Sequence, residues 1–182
     1  MSTGQTLLSI GALILLSQIL VTFYRLSAET GQTLDNAQGG ITALTLATSY
    51  MELANRLEFD DITRSDTIYT GTGGLTLLTP PNLLGREPGE FSMKDHGRDA
   101  MYAFNDIDDF NRDTLDEIQV GGRNVNFQSA FRVVYVDMSA PMDSATTQTP
   151  MKRIDMVIWR TFPSSGDTLR ASMFVGYWKF RI

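Results

Sequence analysis

The first part of the chain is continuously apolar. No charged side chain precedes Arg25, and residues 7–24 read LLSIGALILLSQILVTFY. A helix of that length spans roughly 27 Å, about the thickness of the hydrocarbon core of a bilayer. Polar side chains within it, such as Ser17 and Gln18, are costly in lipid unless they face another helix. The pattern therefore predicts a membrane-anchoring helix that also packs against partner helices, and the missing basic residues argue against a secretory signal peptide.

A second, amphipathic helix is predicted over residues 41–58, directly after Gly39 and Gly40. Because glycine costs roughly 1 kcal/mol relative to alanine inside a helix, we expect a kink or a melted stretch at Gly31 or at the Gly39–Gly40 pair. Apolar residues then recur at helical spacing and form one face. This face consists of Ala43, Leu46, Ala47, Tyr50, Met51, Leu53, Ala54 and Leu57.

The remainder of the chain predicts a small antiparallel sheet. Residues 59–125 are rich in Gly, Pro and acidic side chains and indicate loops, whereas residues 126–182 hold three segments in which apolar and polar residues alternate. These segments cover residues 127–138, 153–160 and 168–180, and the turn-like TFPSSGD separates the last two. The predicted fold class is α+β, in which a long kinked N-terminal helix packs its amphipathic half on the sheet. We divide the chain into a hydrophobic helix over residues 1–38 and a globular domain over residues 39–182.

Composition excludes several functions. The chain has no Cys and a formal net charge of −6, with 14 acidic and 5 basic side chains between residues 58 and 117, so a nucleic-acid partner is not expected. No nucleophile, base and orienting group can be combined into a catalytic site, and we expect neither an enzyme nor a bound cofactor.

The acidic segment, residues 105–113, raises the question of a metal. Asp109, Asn111 and Asp113 resemble the start of a calcium loop, but Thr114 stands where that loop needs Gly and Val120 where it needs Glu. We therefore interpret the segment as a solvated turn and expect no metal.

Four segments resemble the type IV pilin and pseudopilin superfamily. GQTLLSIGALILLS is similar to the pilin start, ALTLATSYMELANRLEFDD to the helix end of minor pilins and minor pseudopilins, FNDIDDFN to an acidic segment of some of those proteins, and MKRIDMVIWR to their penultimate strand. The resemblance implies a structural subunit of an extracellular, type IV pilus-like filament. Its partners would be copies of itself, the assembly machinery of the cytoplasmic membrane and, before assembly, the bilayer.

Two other functions stay open. The chain could be a low-copy, pseudopilin-like component of a secretion or uptake machine, or a single-pass membrane protein with a periplasmic binding domain. For a filament on the cell surface, the apolar helix must be covered by neighbouring subunits. The residues predicted to form these contacts are Leu7, Leu8, Ile10, Leu13, Ile14, Leu16, Ile19, Leu20 and Phe23.

The resemblance also implies a processing site between Gly4 and Gln5, where a peptidase would remove a short leader. Two features of this sequence differ from that pattern. Ser9 stands where the family has a glutamate to pair with the new amino terminus, and residues 1–4 contain no basic side chain. Because a buried, unpaired amino group is costly, we expect the leader to be retained.

Overall fold

A computed structural model describes residues 3–65, 74–117, 125–164 and 166–177. The chain divides into two compact units, Met1–Ile41 and Thr42–Ile182. Helix α1, Thr3–Ala54, contributes to both units. The second, called here the globular unit, also contains the short helix α2, Met93–His96, and a sheet.

Helix α1 is continuous through Gly31, Gly39 and Gly40. The expectation of a melted stretch at these glycines is therefore wrong, while a bend there stays a prediction. About 1 kcal/mol per glycine does not offset the backbone hydrogen bonds that a long cooperative helix would lose by opening.

The amphipathic part of α1 ends earlier than predicted, at Ala54 instead of residue 58. The amide groups of Arg56 and Leu57 donate to the carbonyl groups three residues earlier, at 3.0 and 3.2 Å, so the last turn tightens and stops. The predicted apolar face is confirmed. Its buried members are Ala43, Leu46, Ala47, Tyr50 and Ala54, and Met51, Leu53 and Leu57 pack partly buried against the same core.

Four antiparallel strands form the sheet in sequence order: β1, Thr114–Glu117; β2, Asn126–Tyr135; β3, Met151–Phe162; and β4, Thr168–Gly176. The predicted meander of the last three is confirmed, with Phe131 opposite Met156 and Ile154 opposite Met173. Residues 178–180 of the last predicted segment lie outside the described residues. Strand β1 lies in the segment that we predicted as loop. Its sequence TLDE holds one apolar residue, Leu115, and therefore shows no alternation.

The core lies between one face of the sheet and the C-terminal part of α1. Alternate residues of β2 and β3 point into it, as predicted for Phe131, Val133, Tyr135, Ile154 and Met156. Tyr50 of α1 meets the Phe131 ring edge-on, with 5.2 Å between the ring centroids. Short 3₁₀ helices, including Ile107–Phe110, close the core in the segment predicted as loop-rich.

Candidate functional site

The first candidate site is the surface of the apolar segment, residues 7–24. All nine side chains predicted to contact neighbouring subunits are exposed in their own chain, from 48% for Leu20 to 76% for Leu8. Among the described residues, α1 is a helix long and apolar enough to cross a membrane, and its most apolar window has a mean hydropathy of 2.1 with no residue buried. The segment is therefore compatible with membrane anchoring. Contacts with other subunits stay a prediction.

Some polar side chains in or next to this segment form hydrogen bonds with backbone carbonyl groups of the same helix. The Ser9 hydroxyl donates to the carbonyl oxygen of Gln5 at 3.0 Å, and the Thr22 hydroxyl to that of Gln18 at 2.8 Å. Such bonds to the preceding turn lower the cost of placing a hydroxyl in lipid. Placing the Ser9 and Thr22 hydroxyl groups in lipid therefore costs less free energy than the sequence alone indicates.

Polar and apolar side chains also share one side of this helix. Ser17 and Gln18 line a shallow groove together with Ile10, Ile14 and Val21. The spacing of three and four residues places them in one stripe. Because the Gln18 side-chain amide lies among aliphatic side chains, this stripe suits a second helix that can form a hydrogen bond with the amide.

Gly4 and Gln5, the candidate processing site, lie in the first turns of α1. Met1 and Ser2 lie outside the described residues. Processing between Gly4 and Gln5 thus stays a prediction.

The second candidate site is a charge network inside the globular unit, formed by Lys152, Asp60 and Asp108. All three side chains are fully buried. The Lys152 ammonium donates to Asp108 Oδ1 at 2.7 Å, to Asp60 Oδ2 at 3.1 Å and to the carbonyl oxygen of Phe59 at 2.7 Å. All three of its protons therefore have acceptors, as a buried ammonium requires.

The acidic segment is not the solvated turn that we predicted. Asp106, Asp108 and Asp109 are fully buried, because the adjacent residues Ile107 and Phe110 enter the core and take the backbone inward. Asp106 caps the 3₁₀ helix by accepting from the amide of Asp108 at 2.8 Å. Asp109 accepts from the amide of Asn105 at 2.9 Å. The segment is thus a folded part of the interior.

Burial also changes the protonation of these acids. Burial, and then the charge of Asp108, raises the pKa of Asp106 to about 10. Burial, followed by its contact with Glu90, raises the pKa of Asp109 to about 7. The pKa values of Glu87 and Glu90 are raised chiefly by burial as well. The interior therefore holds more acidic groups than its cations balance, and burial favours the protonated, neutral form of several of them.

The calcium-loop pattern does not assemble as a loop. Asn111 bonds to the backbone of Leu84 and Val133, and Asp113 accepts from Ser92 and from the amide of Met93. The acids that do meet are Glu87, Glu90 and Asp109, here called the carboxylate cluster. One carboxylate oxygen from each lies within 4.8 Å of the others, which makes the cluster a group that could hold a metal ion.

Sequence reasoning missed the charge network, although one signal for it exists. Side chains of a strand alternate between its two faces, and Lys152 lies an even number of residues from Ile154, Met156 and Ile158 on β3. It is therefore expected on the same buried face as these three residues. No comparable signal connects residue 87 or 90 with residue 109.

Comparison of the chain with protein-family models, with curated proteins and with solved structures finds no match. The functional assignment therefore rests on the surfaces and buried groups described above.

Proposed function

We propose that this chain is a structural subunit of an extracellular, type IV pilus-like filament, held in the cytoplasmic membrane by the apolar segment before assembly. The observation that supports this function is the exposure of the whole apolar segment, in which every residue from 7 to 24 is exposed. Large contiguous apolar surfaces of this kind mark contact with a membrane or with protein.

The driving force for both states is the removal of apolar surface from water. At roughly 25 cal/mol per Å², covering leucine and isoleucine side chains that are half or more exposed supplies many kcal/mol. A bilayer and a bundle of identical helices provide this cover about equally. Transfer from one to the other is therefore close to balanced, and an assembly machine could drive it.

The stripe that contains Ser17 and Gln18 supports self-assembly over anchoring alone. In lipid the Gln18 amide has no partner outside its own helix, whereas in a bundle it can hydrogen-bond with a neighbouring copy. The role proposed is structural, with copies of the chain as partners and no catalytic step.

Fractionation of producing cells tests this function. Cell-surface material is sheared off, examined by electron microscopy and probed for the chain, next to the membrane fraction. Filaments in which this chain is the major component are expected, together with a membrane-bound pool of unassembled subunits.

Two other outcomes would contradict the proposal. A trace of the chain in filaments built mainly of another protein would indicate a low-copy component of a secretion or uptake machine. Complete retention in the membrane fraction would indicate a single-pass membrane protein with a binding domain. The intact mass of the chain from the same filaments shows whether residues 1–4 are removed before Gln5.

A further inference from the structure

The carboxylate cluster brings three negative groups together from two loops that are distant in sequence. Glu87 and Glu90 belong to the loop that follows Leu84, and Asp109 belongs to the 3₁₀ helix Ile107–Phe110. Asn105 joins them, because its side-chain amide donates to Glu90 Oε1 at 2.9 Å. Three carboxyl groups therefore surround one small volume at the edge of the core, and the Asn105 side chain lies against one of them.

Three of these oxygen atoms are buried and have no hydrogen-bond donor among the described residues: Glu87 Oε2, Asn105 Oδ1 and Asp109 Oδ1. Asp109 is fully buried, so its side chain is not open to bulk water. Buried acceptors without a partner are rare in folded proteins because each costs the desolvation of a polar group. One of the three is a neutral amide oxygen, so an excess of acids does not by itself explain the arrangement.

Lys152 and Arg86 are both committed to other acids. Lys152 is bound by Asp60, Asp108 and the carbonyl oxygen of Phe59, and Arg86 lies 3.7 Å from Asp113. Within the described ranges, the ion pairs found do not include Glu87, Glu90 or Asp109. Any negative charge of the cluster therefore has no ion-pair partner among the residues that the structure describes.

We propose that the globular unit binds one divalent cation, Ca²⁺ by preference, through side-chain oxygens of Glu87, Glu90, Asn105 and Asp109. Carboxylate and amide oxygens are the ligands that Ca²⁺ takes, and its flexible coordination lets water complete the shell. Mg²⁺ fits less well because it needs near-ideal octahedral geometry and releases its water reluctantly. The site is independent of the proposed function, since it lies wholly within the globular unit.

The site is already partly organised. The amide of Glu87 donates to Glu90 Oε2 at 2.8 Å, and the amide of Asn105 donates to Asp109 Oδ2 at 2.9 Å. The second oxygen of Asp109, Oδ1, is buried and accepts no hydrogen bond from the described residues. Bound Ca²⁺ would join the loop after Leu84 to the 3₁₀ helix and stabilise the folded form by mass action.

Titration of the full chain in detergent micelles tests the site. Chelator-treated protein receives CaCl₂ or MgCl₂ at pH 7.5, and calorimetry gives the stoichiometry while thermal unfolding gives Tm. We expect one Ca²⁺ per chain, weaker binding of Mg²⁺, and a Tm raised by about 5 °C or more at a hundredfold excess over Kd.

Matched variants assign the binding to these residues. Glu87→Gln, at the half-buried edge of the cluster, and Asp109→Asn should each weaken Ca²⁺ binding at least tenfold and shrink the Tm shift. Asp167→Asn removes one exposed acid from the loop between β3 and β4 and should change neither value.

Absence of both heat and Tm shift at millimolar CaCl₂ in the unaltered chain would overturn the proposal and show that the carboxyl groups share protons instead. Preference for Mg²⁺, or full binding in both cluster variants, would overturn it as well. The unaltered chain decides the question even where Asp109→Asn fails to fold.

Discussion

The apolar segment and the interior of the globular unit arrange polarity in opposite ways. The segment exposes leucine and isoleucine side chains along its length and carries no charge, whereas the interior buries Lys152 with Asp60, Asp106, Asp108 and Asp109. Water would favour the reverse arrangement in both places. The apolar segment therefore needs partners from outside the chain, and the interior must supply counter-charges from within or bind them.

The comparison also shows where single substitutions act. In the interior, removing one charge leaves its partners unpaired. On the apolar segment, adding one charge opposes transfer out of water. The following predictions exploit these opposite sensitivities.

The largest effect is expected for Lys152→Met. Removal of the ammonium leaves Asp60 and Asp108 buried without their cation, which typically costs about 3–5 kcal/mol of the free energy of unfolding. Urea unfolding of the full chain in detergent, followed by near-UV circular dichroism, measures the loss. Lys94→Met, at an exposed lysine, should stay within about 0.5 kcal/mol of the unaltered chain.

A second set of variants distinguishes the effect of unpaired buried charges from the effect of lost core packing. Combining Lys152→Met with Asp60→Asn and Asp108→Asn removes the unpaired charges together with the ammonium. Stability should then recover in part. If Lys152→Met alone cost less than 1 kcal/mol, the network would not be the structural element described here.

The next effect is expected for Leu16→Arg in the apolar segment. A charge near the middle of a membrane helix costs about 2.5–3.5 kcal/mol, so membrane partition should fall by about a hundredfold. Leu44→Arg makes the same change at a leucine of α1 that is similarly exposed, 58% against 53%, but lies in the globular unit. Fractionation and filament counts should show a loss for Leu16→Arg alone, and equal losses for both variants would contradict the assigned role of the segment.

Alkaline pH provides a smaller test of the interior. Burial, together with the Glu117 charge, raises the pKa of Tyr50 to about 12, against the lowering effects of its hydrogen bond with Ser129 and of the Arg98 charge. The unfolded chain loses this proton first, near pH 10, so its contribution to stability is full below pH 10 and is lost as pH rises through 12. At pH 11 the loss is about 1.4 kcal/mol.

Tyr50→Phe should remove this part of the pH dependence, as measured by urea unfolding at pH 8 and pH 11. Tyr102→Phe is the matched control, since Tyr102 is 85% exposed. An identical decline in the unaltered chain and in Tyr50→Phe would show that other groups, such as Tyr135, account for it.

The smallest effect is expected for alanine at the helix glycines. A Cβ atom built on Gly31 or Gly40 meets nothing within 4 Å, so Gly31→Ala and Gly40→Ala should each stabilise α1 by about 1 kcal/mol. Hydrogen exchange of the flanking amides, followed by mass spectrometry, should slow by several-fold. Ala28→Gly, at an exposed position of the same helix, should have the opposite effect, and no change in either direction would mean that this part of α1 does not open locally.

Periodicity explains which parts of the fold could be predicted. The apolar face of α1 around Tyr50 and the alternation of β2 and β3 are repeated patterns, and both appear where expected. Strand β1 has a single inward residue, Leu115, and its place depends on pairing with β2, which no local pattern encodes.

The candidate site shows the same limit more clearly. The acidic segment has a composition typical of an exposed turn, and only tertiary contacts reveal that Lys152, 44 residues after Asp108, pairs with that aspartate in the interior. Charge alone does not distinguish a solvated aspartate from one whose partner lies on another strand. The exposure of the apolar segment could be predicted because it follows from the local sequence alone.

Lys152 also has a mechanical consequence. Its acceptors Phe59 and Asp60 lie just beyond the end of α1, whereas Lys152 itself lies on β3, between two neighbouring strands. Tension applied along α1 therefore reaches the centre of the sheet directly, without passing through residues 61–150. To unravel the globular unit from this end, a force must break the apolar contacts of α1 with the sheet and also the lysine's hydrogen bonds to both residues, so Lys152 adds a polar link to the apolar packing of the helix.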